Sequence, residues 1–463
     1  MKAAVRETCM VRPAGQTPSQ RLWLSNLDQF FAKTAHVPML QPYSWRRPDG
    51  GGAARGFFNC RVLKESLSQA LITFFPVAGR LAQAQDGTGR FEIDCNGQGV
   101  LFVEAETDVT ISELGDFQPA PELMQLVPQV DFSKGISSFP LLLVQVTRFR
   151  CGGVCLGIGY HHAVSDGKGF YNLLTAWSSL ARGLSVATNL LPFLDRTILC
   201  SRSPPSPTWQ HPEYCESIDD EQQTPPPSPL STSTRILNLS VDQITCLKEE
   251  ANSSTNGDVN HRYTTFEVLT AHIWRCVTVA RSFADRNQPV TLHVSIDGRR
   301  RFEPMLPPGY FGNCLFHAVV PASTAELASE SLRRTAGRIR RAIRRSDDEY
   351  MRSAIDCLEL AGASTVRIPG ISGSPHLKVI SWTQLPFGQD FGWGDPIFLR
   401  PASSWEGSCL ILPKPKDGDD GLSFSICLEA AVMVRFKGLL TTDDSIVLSN
   451  TTATTLPQLL SRL

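Results

Sequence analysis

Between residues 154 and 181 the hydrophobic pattern changes period, and this change restricts the local fold more than any other feature of the chain. From Val154 to Tyr160 the residues form a short, charge-free apolar run, the pattern of a buried strand. Beyond Gly167 the apolar residues Phe170, Leu173, Leu174, Trp177, Leu180 and Ala181 recur at three- and four-residue steps, which predicts a helix with one buried face. The link between them carries His161, His162, Asp166 and Gly167. A strand that ends in an imidazole can hold a general base rigidly at the mouth of a cleft. Neighbouring residues of a strand face opposite sides, so only one of His161 and His162 can point into a given cleft.

At 463 residues the chain is too long for a single growing core, and two domains are expected. A composition break supports this. Prolines cluster at 204–207 and 225–229, around an acidic patch at 219–221, and such a stretch builds neither helix nor central strand. The expected division is an N-terminal domain at 1–190, an extended linker at 191–233 and a C-terminal domain at 234–463. A net charge of −1 argues against nucleic-acid or membrane-surface partners. No secretory h-region and no run of about 20 apolar residues is present, which points to a cytoplasmic protein. Thirteen cysteines without any Cys-x-x-Cys pair predict reduced thiols, with neither disulfide framework nor metal site.

The remaining segments read as a mixed sheet with flanking helices in each half, an α/β fold. A strand entry near 59 leads into a helix on Leu63, Leu67, Ala70 and Leu71 that Pro76 stops. Strands are predicted at 91–95, 100–105, 141–149, 234–239, 291–296 and 377–382. Helices are predicted at 240–251 and 266–280, and a single basic one at 327–345.

A second segment, Asp390-Phe391-Gly392-Trp393-Gly394, sets two glycines around a tryptophan after an acid, suiting a turn that locks two parts of the chain together. With His162-x-x-x-Asp166-Gly167 it forms a pair far more specific than either alone. In both motifs, their order and their separation, the chain resembles the plant BAHD acyltransferases. Blocks at 8–14, 58–65, 76–81, 95–105 and 306–313 bring it nearest the hydroxycinnamoyl-CoA:shikimate/quinate branch.

The resemblance implies two domains facing each other across a channel, and an acyl-CoA co-substrate with no permanently bound cofactor. A small-molecule alcohol or amine serves as acceptor, and the protein is a monomer. It assigns His162 as general base for direct transfer in a ternary complex, in keeping with the absence of a Gly-x-Ser-x-Gly elbow. It implies that Asp166 pairs with Arg299, that the indole of Trp382 faces the oxyanion, and that Thr264 and Thr265 lie near CoA. Gly167, Asp390, Gly392 and Gly394 become structural supports of the site.

The likeness breaks at positions where that branch meets its acceptor. Gln384 replaces the carboxylate-binding arginine and Ile380 replaces a threonine. In the strip 36–43, His36 is kept while Val37, Met39 and Gln41 replace hydroxyl-bearing residues. His36, Met39, Gln41, Ile380 and Gln384 are therefore the expected acceptor contacts. The chemistry is expected to persist with a less acidic alcohol, a phenol or an amine as acceptor, O-acylation ahead of N-acylation. A catalytically silent binding protein is the competing class. The Thr/Ser-rich stretch 441–463, beyond the likeness, reads as a disordered extension ending in a short helix.

Overall fold

A computed structural model describes residues 1–45, 56–214, 231–253, 262–362, 373–414 and 421–441. The proline cluster at 225–229, the acidic patch at 219–221 and the stretch from 442 onward lie outside the described residues.

The predicted mixed α/β architecture is present as two six-stranded sheets and a small three-stranded one. The first sheet runs in the order Ala3–Val11, Val100–Thr107, Leu142–Phe149, Val154–His161, His36–Tyr43, Arg400–Pro401. The second runs Leu315–Ser323, Pro289–Asp297, Leu377–Ser381, Ser408–Ile411, Leu422–Glu429, Thr232–Leu239. Each six-stranded sheet mixes parallel and antiparallel pairs, and helices cover its outer side.

The run from Val154 is buried at every position through His161, as its lack of charge requires. Gly157 is needed there. A Cβ at this position would lie 1.7 Å from the Leu126 carbonyl oxygen, because the turn Pro121–Leu126 packs directly onto the strand backbone. Asp166 caps the next helix, Gly167–Ala181, by accepting from the Gly169 amide, and the apolar stripe of that helix enters the first core.

Two readings change. Asn59 is not strand entry but the cap of the helix Cys60–Thr73, its side chain accepting from the Arg61 amide. The single basic helix is two, Thr324–Ser329 and Leu332–Arg345, because Ser331 caps a new start by accepting from the Arg334 amide. The strip 36–43 is an interior strand in spite of Pro38 and Pro42. Its neighbour Arg400–Pro401 pairs with only Leu40 and Met39, and the two proline carbonyls still accept from Ile397 and Ala402.

The halves exchange side chains across their boundary. Leu27 of the first half enters the second core, while Phe311, Phe391 and Leu399 of the second enter the first. Within the span expected as linker, Arg202 binds Asp356 at 2.6 Å and His211 reaches Ser353 Oγ at 2.8 Å, fixing the segment to the helix Asp348–Ala361.

Candidate active site

His162 lies immediately beyond its strand and is partly exposed, whereas His161 is sealed. The opposite-face rule thus selects His162. Burial pushes His161 down to about 3 and keeps it neutral, with His36 and His162 adding to the effect. Phe31 stacks on the His162 ring with centroids 3.9 Å apart, fixing its plane.

The tautomer of His162 follows from a chain of hydrogen bonds. Asn313 Nδ2 donates to Asp28 Oδ1 at 2.7 Å and to the His162 carbonyl at 2.8 Å, which uses both of its hydrogens. Its Oδ1 is therefore the atom 2.8 Å from His162 Nδ1, and Nδ1 must carry the proton. Reversing the amide would set its oxygen against a carboxylate and a carbonyl. Nε2 is left with the lone pair that a base requires.

Asp28 in turn accepts from the Asn313 amide, from Ser25 and from Arg196, at 2.7–3.0 Å. Both members of the Arg196–Asp28 pair are almost fully buried. Arg196 also donates to the carbonyls of Ala163 and Val164, in the loop that carries His162. Burial lowers the pKa of His162 below the ordinary histidine value, against the opposing pull of Asp166 and the bond to Asn313.

Asp166 points away from the His162 ring system into a second ion pair. Arg299 donates Nη1 to Oδ2 at 2.7 Å and Nη2 to Oδ1 at 2.9 Å, with both side chains buried. The amides of Gly169 and Cys314 complete the carboxylate's shell. Burial alone would raise this acid, but Arg299 and the two amides hold it below the usual aspartate value. The expected strut exists, and it crosses between halves.

A profile of the Transferase family matches residues 1–440. The chain belongs to this family, the BAHD acyltransferases. A hydroxycinnamoyltransferase of Narcissus pseudonarcissus is 44% identical over 456 residues, covering 94% of this chain and 98% of the relative. The shikimate O-hydroxycinnamoyltransferase of Nicotiana tabacum is 42% identical, with 95% and 99% covered. A hydroxycinnamoyl-CoA:5-hydroxyanthranilate N-hydroxycinnamoyltransferase of Avena sativa is 41% identical at the same coverage. Among solved structures, vinorine synthase superposes with a TM-score of 0.70 at 21% identity, covering 94% of this chain and 96% of that one. A Fusarium graminearum TRI101 complex with coenzyme A and T-2 mycotoxin gives 0.75 at 18%, covering 90% and 97%, and supports the fold. The chain is an acyltransferase.

The other expected site residues of this BAHD acyltransferase are scattered in their surroundings. Trp382, Ile380 and Gln384 follow one another at alternate positions from the strand Leu377–Ser381, partly or fully exposed, and Trp382 packs against the first core. Met39 and Gln41, expected to meet the acceptor, are instead inside the first half. Met39 accepts from Tyr171, while Gln41 bonds Gln389 at 3.0 Å and Tyr43 at 3.2 Å, so both are committed to protein partners. His36 is likewise occupied, its Nε2 lying 2.8 Å from the Pro140 carbonyl, and burial drives it down to about 4.

Thr264 caps the helix Thr265–Arg281 in a reciprocal box with Glu267, which leaves its hydroxyl engaged and Thr265 in the first turn. Asp390 accepts from the amides of Gly392 and Gly394, both at positive φ, and so shapes the turn that sends Phe391 into the core against Trp177. A cavity of about 620 Å³ lined by Glu7, Cys60, Lys64, Glu104 and Arg148 lies away from this machinery, and Lys64 bonds both Glu7 and Glu104.

Sequence reasoning missed Asn313, Asp28 and Arg196 as site residues. Asn313 closes the block at 306–313 and was legible only as scaffold. Asp28 sits in an ordinary capping pattern after Ser25, and nothing local to it names a distant histidine.

Proposed function

We propose that this BAHD acyltransferase moves a hydroxycinnamoyl group from its CoA thioester to a hydroxyl acceptor, with His162 as general base. The observation that carries the reading is the Asn313 bond to Nδ1, which leaves the lone pair on Nε2 of a partly exposed ring. Nε2 takes the acceptor proton as the acceptor oxygen attacks the thioester carbon. The tetrahedral oxyanion then collapses, the carbon–sulfur bond breaks, and the imidazolium returns its proton to the CoA thiolate. Trp382 offers an indole N–H to the oxyanion, a contribution on the order of 3 kcal/mol where such a donor is aligned. Arg299, Asp166 and the Asp390–Gly394 turn position these groups without touching substrate. The hydroxycinnamoyl donor is inferred from the named relatives, as is the lack of any permanently bound cofactor in an enzyme that consumes acyl-CoA.

An amine acceptor is the second reading, favoured by the Avena relative whose name records N-acylation. Incubation with p-coumaroyl-CoA and a mixed library of alcohols, phenols and amines, read by mass, tests both. Esters as the main products support the first reading, amides the second. Release of CoA to water alone, with no acylated acceptor, contradicts both.

A further inference from the structure

The inner face of the second sheet carries a cation that the reaction above does not use. Lys378 lies in the strand Leu377–Ser381, between Leu377 and Val379, which both face the second core. Its side chain therefore projects from the opposite face, the one that also presents Ile380 and, one step beyond the strand, Trp382. In register with it are His293 on one neighbouring strand and Ser408 on the other. His317 stands one strand further out, opposite Ser295.

These groups are polar, buried and poorly satisfied. Lys378 is 9% exposed and His293 and His317 are 3% exposed. The Nδ1 atoms of both histidines have no hydrogen-bond partner. Among the described residues Lys378 forms no side-chain hydrogen bond and no ion pair. Glu406, two residues before the register partner Ser408, pairs with Arg281, as does Glu429. The histidines supply no countercharge, since an imidazole is either neutral or cationic; burial first, with Lys378 contributing, holds His293 down to about 4 and His317 well below its usual value, so both stay neutral beside the ammonium. His162 also feels the Lys378 charge, which places the ammonium within electrostatic reach of the base. A buried ammonium without an anion is costly, and burial pulls Lys378 down to about 8, which still leaves it mostly charged at pH 7 and open to an anion from outside the protein.

We propose that Lys378 is the counter-ion for a carboxylate carried by the acceptor, with His293 and His317 as neutral hydrogen-bonding neighbours. The word acceptor rests on the acyl-transfer reading of His162. The sequence pattern around Gln384 suggested a less acidic alcohol, a phenol or an amine as acceptor, because the expected carboxylate-binding arginine is missing there. Six residues earlier, on the strand Leu377–Ser381 that leads into that segment, Lys378 is a different cation for the same task.

Binding without any thioester tests this apart from catalysis. Benzoate, shikimate and 5-hydroxyanthranilate are each titrated calorimetrically against their methyl esters into the full-length wild type, Lys378→Gln and Lys378→Arg. At least one acid is expected to bind on the order of ten- to a hundredfold more tightly than its ester. Lys378→Gln should abolish that preference and Lys378→Arg should keep part of it. Lys378→Gln should also melt at a higher temperature than wild type, whereas a lysine serving the fold would lower it.

Equal binding of every acid and ester overturns the proposal, as does a loss in Lys378→Gln that is the same for both. Tight, Lys378-dependent binding of adenosine 3′,5′-bisphosphate in place of the acids assigns the lysine to the donor and overturns it too. Carboxylate preference in a protein that transfers no acyl group would sink the reading of His162 alone. Efficient transfer to neutral alcohols with no such preference would sink this one alone.

Discussion

A histidine becomes a base when something else decides which nitrogen holds the proton. Here that decision belongs to Asn313, whose amide hydrogens are both committed to oxygen atoms and whose own oxygen faces His162 Nδ1. Asn313→Ala removes that constraint. The expected fall in kcat/KM is on the order of a hundredfold or more, by analogy with the loss of a tautomer-fixing partner in a serine-protease triad. A pH profile separates this role from a purely structural one. The folded pKa of His162 lies below the ordinary value near 6.5, so the base stays neutral at pH 7 and activity falls only as pH drops below that value. The Asn313 bond favours the charged ring, so its removal should move the acid limb to still lower pH. A limb that moves upward would contradict the assignment. At this scale the sequence singled out His162 and Asp166 through their motif, and the family resemblance named Arg299 as the partner that Asp166 has in the structure. It was misleading for Met39 and Gln41, whose partners Tyr171 and Gln389 are remote in sequence.

Elements deliver these residues by ordinary local rules. The strand Val154–His161 ends at a polar turn, and Asp166 begins the next helix as its cap. The same carboxylate then receives Arg299 from beyond the strand Pro289–Asp297. Removing one member of so buried a pair leaves the other charge uncompensated, at a cost of about 3–5 kcal/mol. Arg299→Met should therefore lower the urea midpoint sharply, and the double variant Arg299→Met, Asp166→Leu should recover a substantial part of the loss. A single variant with an unchanged midpoint would show the strut to be unimportant. Most elements were legible from period and caps, including the helices Cys60–Thr73 and Gly167–Ala181. The strand His36–Tyr43 carries no such signal, because Pro38 and Pro42 interrupt its alternation and are tolerated only where the neighbours need no N–H from them. The helix Asp348–Ala361 also escaped notice, although the acids of its first turn suit its N-terminus.

On the scale of the molecule, the site exists because two halves of the chain interlock. His162 comes from the first sheet, Asn313 and Arg299 from the second half, and Asp28 and Arg196 from segments that bridge them. The chain crosses back when Arg400–Pro401 joins the first sheet, after the turn at Asp390 has anchored Phe391 beside Trp177. That exchange was invisible in the sequence, because two short paired residues carry no periodicity, although the Asp390–Gly394 motif did mark the place. Exchange on this scale makes the groups around His162 a rigid set rather than a hinge between free domains. The central claim is that this set exists to let one imidazole deprotonate an acceptor beside a thioester. It is tested most directly by His162→Ala, with CoA release from p-coumaroyl-CoA in the presence of its best acceptor measured alongside equilibrium binding of CoA. The account predicts that turnover falls by at least about a thousandfold while CoA affinity stays within about twofold; turnover close to that of the wild type would contradict it.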